Sequence, residues 1–200
     1  MRRFFIDCGA NGGNTLDVFK RSVECTPDTL LYAIEPDPRL IVRLRQRGDC
    51  VVIGKCIWTN DGTVGMYFDS RRTGLRNTQF KTGSHRMPSE PTPVECMNFG
   101  AWLVATCDVT DHVIVKMDVQ GAEYAVLEQM LADGSIGYVD KLSLELLHRK
   151  QAHMSAPQNT ALVARLNGVG RLQLCLDPLE TFEEGYRNTW YGRRGRPEPQ

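Results

Sequence analysis

The sequence predicts an α/β domain built on a mostly parallel sheet with helices on both faces. Three observations lead there. Between Phe4 and Ile53 short apolar runs alternate with helical patterns in the order β-α-β-α-β, and such alternation implies parallel strands joined by right-handed crossovers. The first run ends in a glycine-rich turn, Gly9-x-x-Gly12, and the second ends in an acid, Glu35. Ligands of doubly wound sheets bind at such strand ends.

Each element has its own signal. Phe4-Phe5-Ile6 is a strand ending at Asp7, and Leu16, Phe19 and Val23 then fall on one helical face. Leu30 to Ile34 is a second strand. Asp37 is an N-cap, Pro38 occupies the first helical position, and Leu40, Ile41 and Leu44 form the buried face. Val51-Val52-Ile53 is the third strand. After a turn at Asn60-Asp61-Gly62, Val64 to Phe68 alternates weakly as a further strand. Residues 69–93 scatter Gly, Ser, Thr and Pro without a period, so we expect an irregular insertion over 69–98, a candidate substrate loop. Val113-Ile114-Val115 is a buried strand ending near Asp118. Tyr124, Leu127 and Leu131 line the next helix, which Gly134 stops. Val139 to Leu146 is a core strand, and Pro157 opens a helix with Leu162 and Leu166 inward. Leu172, Leu174 and Leu176 alternate with polar residues, as an antiparallel edge strand would. The expected organisation is one domain over 1–192 with a flexible tail at 193–200.

Composition narrows the function classes. The chain has 200 residues, 42% hydrophobic and 24% charged, with zero formal net charge. The molecule as a whole exerts no long-range pull on nucleic acid. No apolar run approaches a membrane span, and the N-terminal apolar stretch is too short for a signal peptide. Seven cysteines lack zinc or disulfide spacing, and Cys8, Cys50, Cys56, Cys107 and Cys175 lie in or beside apolar stretches. They read as reduced thiols of an intracellular, cytoplasmic protein.

Chemistry concentrates in four places. Asp7-Cys8-Gly9-Ala10-Asn11-Gly12-Gly13-Asn14-Thr15 joins the first strand to the first helix. A dinucleotide site would need G-x-G-x-x-G to seat a pyrophosphate. The spacing here suits S-adenosylmethionine (SAM), which has no phosphate but carries an α-amino group for which an acid is a partner. An NAD-dependent dehydrogenase fits poorly for the same reason. Glu35 stands where an acid takes ribose hydroxyls in nucleotide-binding sheets. Asp118 ends the strand beside the cofactor turn, in Lys116-Met117-Asp118-Val119-Gln120-Gly121-Ala122-Glu123. Glu145 is a carboxylate inside the apolar run Leu142 to Leu147, where a buried acid requires a partner, and His148 follows it. Ile57 and Trp58, after the third strand, are expected to wall an adenine ring.

These runs together resemble the FkbM-type SAM-dependent methyltransferases: Phe5-Ile6-Asp7-x-Gly9-Ala10-Asn11-x-Gly13, Ala33-Ile34-Glu35-Pro36, Lys116-x-Asp118-Val119-x-Gly121-Ala122-Glu123, then Glu145 and His148. The similarity covers roughly residues 4–150 in order and spacing, and the Lys-x-Asp-Val-x-Gly-Ala-Glu element is its most specific part. The resemblance implies a seven-stranded Rossmann-like fold and O-methylation of a sugar or natural-product hydroxyl. It implies cofactor contacts from Asp7, Gly9, Ala10, Asn11, Gly12, Asn14, Thr15, Glu35, Pro36 and Asp118.

A hydroxyl acceptor must lose its proton as it attacks a methyl group. Asp118 and His148 are candidates to take it, with Glu145 orienting one of them; alternatively Asp118 and Glu145 hold a divalent metal that polarises the hydroxyl. The segment Arg71 to Arg86 carries Arg71, Arg72, Arg76, Lys81, His85 and Arg86 without an acid, and reads as a substrate-binding loop for phosphates or anionic sugars. A cap or ribose 2′-O-methyltransferase acting on RNA is therefore the alternative, with Lys20, Lys141 or Lys150 joining Asp118 and Glu145. A SAM-binding or partner-binding module without catalysis is the third reading.

Overall fold

A computed structural model describes residues 1–68, 90–144 and 155–176. Its main sheet contains β1 (Arg3–Cys8), β2 (Thr29–Ile34), β3 (Val51–Ile53), β7 (His112–Met117), β8 (Lys141–Leu144) and β9 (Gln173–Cys175), in the order β3-β2-β1-β7-β8-β9. Every pairing in this sheet is parallel. β1 is central and buried on both faces, which explains why its apolar residues run continuously rather than alternate.

The two faces carry separate cores. Phe4 and Ile6 of β1, Val113 and Val115 of β7, and Leu142 and Leu144 of β8 face one way. They meet α3 (Phe99–Thr106), α4 (Glu123–Asp133) and α5 (Ala156–Asn167) through Leu103, Leu127 and Leu162. Phe5 and Ile114 face the other way, against Leu16 and Phe19 of α1 (Asn14–Arg21) and Leu44 of α2 (Pro38–Arg47). Phe5 and Phe19 stack with ring centroids 3.9 Å apart. Each such fully buried aromatic ring contributes about 2–3 kcal/mol of transfer free energy.

A second sheet forms between β3 and β7 from β4 (Cys56–Trp58), β5 (Gly62–Met66) and β6 (Thr92–Asn98). Its order is β4-β6-β5, with β4 parallel and β5 antiparallel to β6. Its small core is Cys56, Met66 and Cys96. All seven thiols of the chain are free, and four of them are buried. No helix among the described residues is long and apolar enough to cross a membrane.

Three expectations are corrected. The strand around Leu174 pairs parallel to β8, because α5 supplies a crossover that returns the chain to the same end of the sheet. Six strands of the main sheet lie among the described residues, as a Rossmann-like sheet requires, and the antiparallel pairing among the described residues is that of β5 on β6 in the second sheet. Thr92–Asn98, expected as the end of an irregular segment, is a seven-residue strand. Val23 is fully exposed, since Ser22 already caps α1 and leaves Val23 beyond the helix. Helix α3 has no sequence-based counterpart. Its apolar residues run around the whole cylinder without a period, although Asn98 caps it by accepting from the Ala101 amide at 3.0 Å.

Candidate functional site

The strand order reverses between β1 and β7: the chain moves outward through β2 and β3 on one side, then through β8 and β9 on the other. Such a switch point opens a crevice at the carboxyl ends of the two strands. The loops following Cys8 and Met117 meet there. The Asp118 amide donates to the Cys8 carbonyl at 3.1 Å.

The β1–α1 turn is tightly held. Gly9 and Ala10 both donate to the Ile34 carbonyl, at 2.9 and 3.1 Å, which ties the turn to the end of β2. Gly9 has φ +78, and a Cβ there would overlap the Asp118 carbonyl oxygen. Its glycine is thus required by the approach of the neighbouring loop. At Gly12 the space a Cβ would occupy is open, so this position leaves a cradle. Gly13, in the left-handed region, is the N-cap of α1 and provides no capping side chain. The first-turn amides of α1 are therefore claimed by no cap, as an anion-binding helix end requires.

Glu35 closes β2 beside this turn and is buried. Its Oε2 accepts from the Asn11 amide at 2.8 Å and its Oε1 from the Asp37 amide at 2.9 Å. Burial raises its pKa to about 7, against the pull of these two donors. Asn11 reaches Glu35 from the left-handed region, φ 50, a conformation that asparagine tolerates better than most residues.

On the opposite wall, Asp118 is half-buried, and its Oδ1 accepts from the Gln120 side-chain amide at 2.7 Å. Gln120 also has a left-handed backbone, φ 57, so the two non-glycine residues of this kind among those described flank the same crevice. Strained positions cluster at functional sites. Glu123 folds back over its own loop: Oε1 accepts from the Val119 amide at 2.8 Å and Oε2 from the Gly121 amide at 2.7 Å. Glu123 thereby performs the loop-holding work, while Asp118 stays partly exposed at the end of β7.

Asp7 departs from expectation. Its side chain is fully buried, with Lys116 Nζ 3.0 Å from Oδ1. A direct contact between Asp7 and a bound ligand is therefore not available in this arrangement. Burial opposes the charge on both partners. For Lys116 the carboxylates of Asp7 and Asp118 outweigh it and raise its pKa, while burial still pushes Asp7 up.

The sequence profile of the methyltransferase FkbM domain matches residues 7–156. The chain belongs to the FkbM methyltransferase family. Searches of curated proteins and of solved structures return no match. The match spans the Gly9 turn, Glu35 and the Asp118 loop, so the geometry above belongs to the methyltransferase domain.

Within that FkbM domain the remaining expected residues separate. Ala10 is buried in the α1 core and contributes its backbone to the turn. Asn14 is exposed and Thr15 half-buried at the start of α1, and Pro36 is half-buried beside Glu35. Ile57 is buried in the main core, which corrects its expected place in an adenine wall; only Trp58 of that pair is partly exposed. Lys20 is paired with Asp49 and Lys141 with Glu24. Lys116, the buried cation of the site, heads the Lys-x-Asp-Val-x-Gly-Ala-Glu element but has no role legible in the sequence, because only the register of β1 on β7 places it beside Asp7. Glu145, His148, Lys150, Arg71, Arg72, Arg76, Lys81, His85, Arg86 and the tail 193–200 lie outside the described residues. No group of three metal-ligating side chains occurs among the described residues, and the second ligand of the metal reading, Glu145, is not one of them.

Proposed function

We propose that this methyltransferase binds SAM at the β1–β7 crevice and transfers its methyl group to a hydroxyl of a sugar or natural-product acceptor. The observation that carries this reading is Glu35. A buried carboxylate, fixed by two backbone amides at the end of β2 and next to an open glycine cradle, suits the paired hydroxyls of a ribose. The residues fit the rest of the cofactor as well. The uncapped first turn of α1 suits its carboxylate, and partly exposed Trp58 suits its adenine.

When bound, SAM supplies a sulfonium methyl carbon: a C–O bond forms to the acceptor as the C–S bond breaks, and S-adenosylhomocysteine leaves. The chain's own work is positioning and proton removal. Asp118 accepts the hydroxyl proton. Gln120 holds one oxygen of that carboxylate in place by donating to it at 2.7 Å. The chain leaves β8 at Leu144, which pairs with Met117, the residue before Asp118. Glu145 is the next residue in the sequence and His148 comes three further on; we assign His148 to sharing the proton with Asp118 and Glu145 to orienting one of them.

Of the lysines that the RNA reading would use, Lys20 is paired with Asp49 and Lys141 with Glu24, while Lys150 and the basic segment 71–86 lie outside the described residues. Asp118→Ala is expected to lower turnover by about a hundredfold or more while leaving SAM affinity within a few-fold. Methyl transfer to a panel of glycans and RNA, measured beside calorimetry with SAM, checks this. Full turnover in the variant would remove Asp118 from the chemistry, and SAM-independent silence of the wild type would remove the cofactor assignment.

A further inference from the structure

The ion pair beneath the Gly9 turn has a geometry that ordinary charge neutralisation does not require. β1 and β7 pair in a register that sets Asp7 opposite Lys116, so both side chains lie on the α1 face of the sheet. Lys116 Nζ then continues past Asp7 to the turn itself. It donates to the Gly9 carbonyl at 2.9 Å and to the Cys8 carbonyl at 3.4 Å. The Cys8 carbonyl has a second donor in the Asp118 amide, whereas Lys116 is the donor that reaches the Gly9 carbonyl. Both carboxylate oxygens of Asp7 are buried without a well-aligned hydrogen bond, and Oδ1 lies in ion-pair contact with Lys116 Nζ at 3.0 Å.

We propose that Lys116 is a positioning residue that clamps the β1–α1 turn into its ligand-binding shape, and that Asp7 is its counter-ion rather than a contact of the cofactor. The proposal rests on the SAM reading for its functional consequence, but the clamp itself is a property of the ligand-free chain. Buried ion pairs are poor stabilisers in their own right, because desolvation offsets their attraction. The charged donor on Gly9 gives this one a different use. Gly9 lies against the Asp118 carbonyl in a left-handed conformation, and the next residues are tied to Ile34 and Glu35. Fixing the Gly9 carbonyl therefore fixes the orientation of the whole cradle through Gly13. Methionine at 116 would keep the length and lose the donors, leaving the Gly9 carbonyl without its partner.

The test compares Lys116→Met, Asp7→Asn and the double variant with the wild type. Amide hydrogen exchange over residues 9–13 in ligand-free protein reads the clamp, thermal unfolding reads stability, and calorimetry with SAM reads function. In Lys116→Met exchange across the turn should accelerate and SAM affinity should fall, each by about tenfold, as for a lost hydrogen bond to a charged donor. Asp7→Asn should bind SAM within about threefold of the wild type, since a lost direct charge contact would cost more than this. The double variant should recover thermal stability relative to Lys116→Met and still bind weakly. It also carries the test if Lys116→Met leaves Asp7 unpaired and fails to fold. Loss of affinity in Asp7→Asn equal to that in Lys116→Met would overturn the proposal, as would a double variant that regains wild-type affinity. Accelerated exchange in Lys116→Met together with no SAM binding by the wild type would support the clamp and sink the cofactor reading separately.

Discussion

At the scale of single residues, the site is a set of carboxylates whose partners decide their roles. Glu123 is spent on two loop amides, Asp7 on a buried ammonium, and Glu35 on two amides beside the cradle. Asp118 is the half-exposed acid of the group. Glu35 makes a prediction about pH. Burial lifts its carboxyl from 4.5 to about 7, so between these values the folded chain holds a proton that the unfolded chain has released. The stability contributed by protonated Glu35 is therefore complete below about pH 4.5 and is lost as pH rises through 7, a change of about 3 kcal/mol. SAM affinity should run the opposite way, because ribose hydroxyls donate to the ionised carboxylate. Dissociation constants measured from pH 7 down to 5.5 should rise by up to about tenfold per unit. Glu35→Gln should bind weakly with a flat profile over that range. A pH-independent wild type would show that Glu35 does not meet the ligand in its charged form.

At the scale of elements, the two glycines of the β1–α1 turn separate stability from binding. Gly9 is left-handed with the Asp118 carbonyl where a Cβ would go, whereas Gly12 has ordinary φ and open space. Gly9→Ala should destabilise the fold by about 3 kcal/mol through strain and overlap. Gly12→Ala should leave stability within about 1 kcal/mol and weaken SAM binding by filling the cradle. Urea unfolding and calorimetry on the two variants check both halves, and equal destabilisation by the two would contradict the turn geometry. The same elements show what a sequence can reveal. The β1–α1–β2–α2–β3 stretch was legible because its signals are local: apolar runs, the Asp37 cap with Pro38, and the acid that closes β2. The direction of β9 was not, since alternation reports a solvated face and says nothing about which way the neighbour runs. Helix α3 escaped because a helix apolar on every side has no period to detect. Glu35 and Asp118 could be picked out as strand-end acids. Lys116 could be quoted as part of a motif but its role could not be read, because that role depends on a register between strands more than a hundred positions apart.

At the scale of the whole molecule, the sheet order leaves the ligand undecided. Read in order of appearance within the main sheet, its strands lie 3-2-1-4-5-6, the arrangement that dinucleotide-binding sheets also use. A fold does not fix a function, so the choice falls to the turn. A pyrophosphate needs close backbone approach at a G-x-G-x-x-G turn. Here Gly9 is packed against Asp118, and the following residue, Ala10, is buried in the core. The open position comes only at Gly12, next to a carboxylate rather than a phosphate-binding cation. The molecule should therefore discriminate sharply between two cofactors that its architecture would admit alike. A ligand at a hundred times its dissociation constant stabilises the native state by about 2.7 kcal/mol. For a chain of this size that corresponds to an increase in Tm of roughly 5–10 °C. SAM and S-adenosylhomocysteine should each produce such an increase, and NAD at the same concentration should produce none. The increase with SAM should be smaller at pH 6 than at pH 7.5, following Glu35. A rise in Tm with NAD alone would mean that the fold, and not the Gly9–Gly12 turn, selects the ligand, and it would remove the basis for placing SAM in this crevice.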